Sequence, residues 1–252
     1  MKLALYQCPS PAGDLDAALK TIERALGQAR DAGAGILVMP EMYLPGYVAA
    51  TSTPPPGWDD ALARLPHLAR AHETALVIGA AEYTESGVYN SAYAFGPDGS
   101  DIARYRKIQL FGPDEAALYK PGACYCLFEY GGTRFGLLIC YDVEFPEHTR
   151  ALARAGAQVL LVPTANMVPF ETVNQFIVPA RAAESALTIV YANYCESEPP
   201  LTYTGQSVIS GPDGRPLAQA TDEETLLVAA IPNADALLPL STQLTDFRAI
   251  QR

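Results

Sequence analysis

The strongest constraint on the fold of this chain is a pattern that it contains twice. Residues 32–47 read AGAGILVMPEMYLPGY, and residues 155–170 read AGAQVLLVPTANMVPF. Each copy begins with an Ala-Gly typical of a helix end, continues as a four-residue apolar strand and reaches a proline. Each is preceded by a strand and a helix, at 2–7 and 14–30 in the first copy and at 134–140 and 146–155 in the second. Alternating strands and helices predict an α/β fold.

The two copies also continue alike. Each has a second helix and strand, at 59–73 and 75–79 and again at 172–187 and 188–194, where Pro179 is expected to kink or shorten the helix. Gly-Pro-Asp-Gly turns at 96–99 and 211–214 then predict hairpins. Two such halves, each with helices on one face of its sheet, would pack their bare faces together. We expect one domain over 1–252, a four-layer α-β-β-α sandwich, although ordinary α/β periodicity would also explain the repeat.

Composition and charge exclude several classes of protein. Of the 252 residues, 49% are hydrophobic and 18% charged, which opposes disorder. A net charge of −11 argues against nucleic-acid or anionic-membrane partners, because both require a basic face. The opening MKLALYQCPSPAG is too short for a secretory signal, and no apolar stretch approaches the length of a membrane span. We therefore expect a cytoplasmic enzyme or binding protein.

The cysteines suggest neither a disulfide framework nor a metal site. There are five of them, an odd number, and Cys124 and Cys126 are too close together and too isolated for zinc. Cys140 differs from the other four cysteines in its sequence context. It ends the apolar run RFGLLIC, and Pro146 and Glu147 then suit the first turn of a helix. A thiol at the end of a strand, near free main-chain N–H groups, is well placed for a nucleophile.

Two further polar residues follow predicted strands. Glu41 comes after the strand at 36–39, and Lys107 ends the strand at 102–107. In α/β sheets ligands gather at the carboxyl ends of strands, so both could join Cys140 in one site. The residues alone leave a structural explanation open for each: a solvated loop carboxylate, a surface lysine and an inert core thiol.

Motifs in the expected order run through most of the chain: Val38-Met-Pro-Glu41, Tyr105-Arg-Lys107, Tyr119-Lys-Pro-Gly122, Gly136-Leu-Leu-Ile-Cys140-Tyr-Asp142, Phe145-Pro-Glu147, Arg181-Ala-Ala-Glu184 and Gly205-Gln-Ser207. In these motifs the chain resembles the nitrilase superfamily of carbon–nitrogen hydrolases. The resemblance implies the four-layer fold and a catalytic set of Glu41, Lys107 and Cys140. It also implies a second glutamate after the lysine, which fits Glu115.

The resemblance implies a mechanism that needs neither metal nor organic cofactor. A thiol with an ordinary pKa of ~8.5 is mostly protonated at neutral pH and needs a base. None of the three histidines is well placed, and His148 is expected on the solvent face of its helix. Glu41 remains as the base. Lys107 and the main-chain N–H of Tyr141 are the candidates to stabilise the oxyanion, and Glu115 would position substrate or Glu41.

The residues after the nucleophile bear on the substrate. Nitrile-specific members usually have Trp-Glu there, whereas this chain has Tyr141 and Asp142, which look like the amidase branch. Glu144 has the wrong sign for a substrate carboxylate, so we expect a small carboxamide without one, or one with an amine. The expected pocket residues are Tyr47, Phe111, Tyr141, Glu144, Phe145, Asn166 and Phe170. The aromatic ones could instead be core, and Glu144 could pair with Arg150.

The partners and the rival functions follow from the same resemblance. The short C-terminal tail favours a compact homodimer over a filament, paired through 145–155 and 170–187. A nitrilase or an N-carbamoyl amide hydrolase could use the same Glu-Lys-Cys set. A non-catalytic ligand-binding homologue is the alternative from another class of protein.

Overall fold

The computed structural model describes residues 1–232 and 239–249, and its first half follows the predicted order of elements. A stripe of buried apolar residues forms one face of the first helix, and the Asp14 side chain accepts the main-chain N–H of Ala17 at its start. The elements are β1 (Lys2–Gln7), α1 (Leu15–Asp31), β2 (Ile36–Val38), α2 (Trp58–Ala71), β3 (Ala75–Thr84), β4 (Gly87–Phe95) and β5 (Asp101–Arg106).

The second half repeats this order between short additional elements. A short helix, α3 (Gly112–Leu118), and a strand, β6 (Cys126–Tyr130), lead into it. The remaining elements are β7 (Thr133–Leu137), α4 (Pro146–Arg154), β8 (Val159–Pro163), α5 (Val178–Ser185), β9 (Thr188–Ala192), β10 (Ser197–Glu198), β11 (Leu201–Thr202), β12 (Val208–Ser210), β13 (Pro216–Gln219), β14 (Thr225–Ala230) and α6 (Gln243–Asp246).

The two large sheets have the same topology, so the internal repeat is structural as well as sequential. Over the described residues one sheet has the order β14-β1-β2-β3-β4-β5 and the other β6-β7-β8-β9-β12-β13. In each, the second, third and fourth strands are parallel and the others pair antiparallel. The Gly-Pro-Asp-Gly turns connect β4 to β5 and β12 to β13, as predicted.

The burial pattern confirms the four-layer arrangement. One apolar cluster joins α1 and α2 to the outer face of the first sheet, through residues such as Ala4 and Leu37. A second cluster joins alternate residues of that sheet, such as Leu3 and Val38, to the second sheet and its helices α4 and α5. Because neighbouring residues of a strand point to opposite faces, these clusters place the two sheets face to face with helices outside.

Three local predictions need correction. The strand expected at 134–140 ends at Leu137, and Cys140 already belongs to the tight turn that follows. The helix expected at 172–187 begins with a wide turn at Val173–Ile177, where the N–H of Val178 bonds to the oxygen of Val173, and Pro179 follows directly. Proline cannot donate a helical hydrogen bond, which accounts for the interruption. The strand β14 was not predicted at all.

Within 1–232 and 239–249, no helix combines the length and the apolar character that crossing a bilayer requires.

Candidate active site

Glu41 lies three residues after the end of β2, and its main chain is fixed from three sides. Its N–H donates to the Thr164 oxygen at 3.3 Å, and its carbonyl accepts the Tyr194 hydroxyl at 2.8 Å. Gly79 on β3 lies so close that a Cβ on it would be 2.5 Å from the Glu41 Cα. Glycine is therefore required at position 79, and the close packing leaves Glu41 no room to shift.

Lys107 follows β5 and joins two carboxylates in the interior. Its Nζ donates to Glu41 Oε1 at 2.7 Å and to Glu115 Oε1 at 2.8 Å, and its side chain has no exposed surface. An ammonium group has three donors, and these two bonds use two of them. Among the described residues the third N–H of Lys107 has no acceptor, so it is available to a ligand.

The two carboxylates have different surroundings. Glu115, on α3, also accepts the Tyr47 hydroxyl and the main-chain N–H of Phe111, both at 2.7 Å. Glu41 Oε1 accepts the Asn90 amide at 2.7 Å, but its Oε2 is buried and has no hydrogen-bond partner within the described part of the chain. A buried carboxylate oxygen is costly to leave unpaired, so Glu41 Oε2 is an acceptor available to a substrate or a nucleophile.

Cys140 begins a tight turn, Cys140–Glu144, and has a φ of +43°. Asp142 holds this turn against the strand that carries the lysine. Its Oδ2 accepts the N–H of Ile139 at 3.0 Å and the Tyr105 hydroxyl at 2.8 Å, and its Oδ1 accepts the N–H of Gln109 at 2.7 Å. Asp142 therefore couples the position of Cys140 to that of Lys107, two residues before Gln109.

The three groups are close enough to affect one another's ionisation. Burial raises the pKa of the Cys140 thiol and the Glu41 carboxylate raises it further, while Lys107 lowers it. Burial also raises the pKa of Glu41, against the opposing effect of Lys107. For Lys107 burial would lower the pKa, but Glu41, Glu115 and Cys140 raise it well above its usual value. These shifts favour the charged form of Lys107 and the protonated form of the Cys140 thiol.

Most of the expected pocket residues surround the thiol. A small cavity at Cys140 is lined by the expected residues Tyr47, Phe111, Tyr141, Glu144, Asn166 and Phe170, together with Ala165 and Met167. Phe145 is not among its lining residues; its ring packs edge-on against Tyr141 at 4.9 Å between centroids. A larger cavity of about 380 Å³ lies next to it and shares Tyr47, Phe111 and Met167.

Two expectations about neighbouring side chains were wrong. His148 is buried instead of facing solvent, because Tyr125 and Gln109 cover it and hydrogen-bond its ring at 2.8 and 2.9 Å. Arg150 does not pair with Glu144; its guanidinium donates to Glu184 at 3.1 Å.

Sequence reasoning missed Asn90 and Asp142 as site residues. Asn90 is a fully buried amide within the apolar β4, and a buried polar group in such a strand signals a partner elsewhere in the fold. Asp142 lies within one of the motifs, but two of its three hydrogen bonds come from the distant Tyr105 and Gln109, which nothing in the local sequence reveals. Among the described residues, no group of three or more Cys, His, Asp or Glu side chains could hold a metal ion.

Comparison with known proteins gives consistent matches. A hydrolase encoded in the pqqF 5' region of Pseudomonas protegens is 38% identical over 239 residues, covering 92% of this chain and 82% of the relative. An (R)-stereoselective amidase from a Pseudomonas species is 34% identical over 232 residues, covering 89% of this chain and 82% of the relative.

Solved structures agree with these relatives. The NitN amidase from Neterenkonia sp. AN1 has a TM-score of 0.89 and 37% identity, covering 98% of this chain and 96% of its own. Structures of mutants of this amidase show acrylamide added at the active-site cysteine and a complex with butyramide. The family model described as carbon-nitrogen hydrolase matches residues 2–236. With its fold and its sequence both matched over nearly the whole length, the chain belongs to the carbon–nitrogen hydrolase family of the nitrilase superfamily.

Proposed function

We propose that this protein is an amidase that hydrolyses a small carboxamide to a carboxylic acid and ammonia through a thioester at Cys140. The observation that carries the proposal is the buried pairing of Glu41 with Lys107, both close enough to Cys140 to shift the pKa of its thiol. Lys107 bridges two carboxylates, and one oxygen of Glu41 has no partner within the described residues. This arrangement supplies a base and a fixed positive charge to one nucleophile.

In the first step Glu41 takes the thiol proton as Cys140 attacks the amide carbon. A carboxylate with an ordinary pKa near ~4.3 is a weak base for a thiol, but burial raises the pKa of Glu41 towards the working range. Its free Oε2 is the oxygen that accepts the proton. Asn90 and Lys107 hold the other oxygen, so the free lone pairs keep a fixed direction.

The negative charge that develops on the amide oxygen needs donors that are already in place. The third N–H of Lys107 and the main-chain N–H of Tyr141 are assigned to it. One donor of this kind is typically worth about 10²–10³ in rate. The tetrahedral intermediate collapses as the C–N bond breaks, and Glu41 returns its proton to the departing nitrogen. Ammonia leaves, and the acyl group remains as a thioester on Cys140.

Water completes the cycle by the same route. Glu41 takes one proton from the water, and the hydroxide attacks the thioester carbon. The C–S bond breaks, the acid leaves and the proton returns to the sulfur, so that atoms and charges balance over the two steps. Glu115 is assigned to positioning: it holds Lys107 and accepts Tyr47, whose hydroxyl stays protonated because burial and nearby carboxylates raise its pKa.

The comparisons support an amide substrate. The family described as carbon-nitrogen hydrolase includes relatives named as amidases, and a similar solved amidase carries acrylamide at its active-site cysteine or binds butyramide. Small neutral amides of that size are therefore the first substrates to test. We also propose a homodimer, which the resemblance implies, and a cytoplasmic location, as expected in the sequence analysis.

The deciding experiment measures ammonia released from butyramide and from butyronitrile by the wild-type protein and by Cys140→Ala. We expect release from the amide only, and none from the variant. Turnover of the nitrile alone would make the protein a nitrilase. Mass spectrometry after incubation with a hydroxamate or a reactive carboxamide should show an adduct on Cys140, whereas a non-catalytic binding protein would show none.

A further inference from the structure

Glu144 lies close to Cys140, and its carboxylate has no polar partner within the described part of the chain. It lines the cavity that contains Cys140, and its side chain makes no hydrogen bond and no ion pair within 4.0 Å among the described residues. The mechanism proposed above does not use it. A half-buried carboxylate in such a position is available to a ligand.

The main chain at Glu144 is nevertheless held rigidly. The Arg181 guanidinium donates to the main-chain oxygens of Glu144 at 2.6 Å and Val143 at 3.2 Å, and its remaining nitrogen donates to Glu184 at 3.3 Å. Arg181 therefore fixes the peptide and leaves the Glu144 carboxylate free. Arg181 and Lys107 are near enough to lower the pKa of Glu144, but burial outweighs them and raises it.

The charge and the surface of the site favour a cation beside Glu144. Lys107 is bonded to Glu41 and Glu115, and the Arg181 guanidinium is bonded to main-chain oxygens and to Glu184. Among the described residues, neither cation pairs with the Glu144 carboxylate within 4.0 Å. The same cavity is lined by aromatic rings, with Phe111 and Phe170 packed edge-on at 5.6 Å between centroids. A carboxylate combined with aromatic faces is the environment that stabilises an ammonium group, through an ion pair and through cation–π attraction.

We propose that Glu144 is a specificity residue that binds an amino group on the acyl part of the substrate, so that the preferred substrates are amino-substituted carboxamides. This inference rests on the proposed amidase function and narrows its substrate class. The same carboxylate repels acyl groups that end in a carboxylate. It explains why the cavity holds an acidic residue where neutral side chains would suffice for a plain aliphatic amide.

The test uses amides that differ only in the terminal group of the acyl chain. 3-Aminopropanamide carries an ammonium, butyramide a methyl group and succinamic acid a carboxylate at the same place; glycinamide and propionamide give a shorter matched pair. We expect kcat/KM of the wild-type protein to be at least about tenfold higher for an ammonium compound than for its methyl counterpart, a difference of about 1.4 kcal/mol. Succinamic acid should be the poorest substrate.

Glu144→Gln keeps the shape of the side chain and removes its charge. The ratio of kcat/KM between the ammonium and methyl compounds should fall towards one in this variant. Glu147→Gln is the matched control, because Glu147 is exposed on α4 and outside the cavity lining, and it should keep the wild-type ratio. An equal ratio in the wild-type protein, or a ratio that Glu144→Gln leaves unchanged, overturns the inference.

Binding separates this inference from the proposed function. Calorimetry with Cys140→Ala measures the affinity for 3-aminopropanamide and butyramide without turnover. A preference for the ammonium compound that Glu144→Gln removes in this background supports the role of Glu144 even if the wild-type protein hydrolyses no amide. Hydrolysis of butyramide without any ammonium preference, in rate or in affinity, refutes the role of Glu144 and leaves the amidase function standing.

Discussion

Replacement of Asp142 by asparagine should damage both stability and catalysis, although Asp142 is not assigned to the chemistry. Its carboxylate is fully buried and joins the turn that holds Cys140 to the segment that follows Lys107. Asparagine has nearly the same shape, so the substitution creates no cavity. Its amide can accept hydrogen bonds at one atom only, where the carboxylate accepts at two.

The expected loss of stability follows from the three hydrogen bonds that Asp142 accepts. Oδ1 accepts the N–H of Gln109, and Oδ2 accepts the N–H of Ile139 and the Tyr105 hydroxyl. In its better orientation asparagine loses the Gln109 bond and sets an NH₂ group against that N–H. A hydrogen bond to a charged group contributes about 1.5–3 kcal/mol, and a buried unsatisfied donor costs about 1–3 kcal/mol. Removing a buried charge offsets part of this, so we expect a loss of about 2–4 kcal/mol.

Urea unfolding and steady-state kinetics on butyramide measure the two effects. The kcat should fall by about 10²-fold, because misplacing reacting groups by as little as ~1 Å has that consequence, while KM changes less. Tyr105→Phe removes one of the three bonds and should cost less than Asp142→Asn. Asp31→Asn, which affects an exposed ion pair with Arg30, should change stability by less than about 1 kcal/mol.

An Asp142→Asn variant with a free energy of unfolding within about 0.5 kcal/mol of the wild-type value and an unchanged kcat would refute this role of Asp142. A loss of stability with unchanged kcat would show that Asp142 supports the fold without positioning the thiol. In that case the coupling between the nucleophile turn and the lysine strand would have to lie elsewhere.

Three other perturbations have definite expected outcomes. Because burial raises the pKa of Glu41 and a base must be ionised, kcat/KM for butyramide should fall as the pH drops through a value above the ordinary ~4.3; a limb at or below it would contradict this role. Gly79→Ala should lower the melting temperature by roughly 6 °C or more, whereas Gly27→Ala on α1, whose Cβ would meet only the His72 ring at 3.6 Å, should not. Light scattering should give twice the mass of one chain, and Phe176→Ser, at a side chain 66% exposed within the expected interface, should halve it; a monomeric wild type would exclude the dimer.

The fold was predictable because its signals are local and repeated. Apolar runs ending in proline, the stripe on α1 and two identical Gly-Pro-Asp-Gly turns each specify one element, and their order specifies the layers. The sequence also allowed Glu41, Lys107 and Cys140 to be proposed as a set, since each lies at or after the end of an apolar or strand-like run and matches a motif; their catalytic roles stay predictions. Their wide separation along the chain did not prevent this prediction, because each was recognised from its own local motif.

The residues that position these groups were not predictable in the same way. Asn90 bonds to a carboxylate 49 residues away, and the Tyr105 hydroxyl reaches Asp142 across 37 residues. Such bonds depend on the register of the strands, which the order of elements does not determine. The prediction for His148 was wrong because His148 shares the inner face of α4 with Leu152, four residues on, and Tyr125, from a distant segment, covers its ring.

The backbone conformation at Cys140 affects which inactive variant is best suited to binding a substrate without turnover. With φ at +43°, position 140 lies in the left-handed region, which costs a residue with a Cβ about 1–2 kcal/mol and costs glycine almost nothing. The nucleophile thus requires a side chain at a position where the backbone conformation alone would favour glycine. A Cys140→Gly variant should therefore be more stable than a Cys140→Ala variant, the reverse of the ranking of these residues in a helix. The glycine variant would be the more stable inactive protein for binding an unreacted amide.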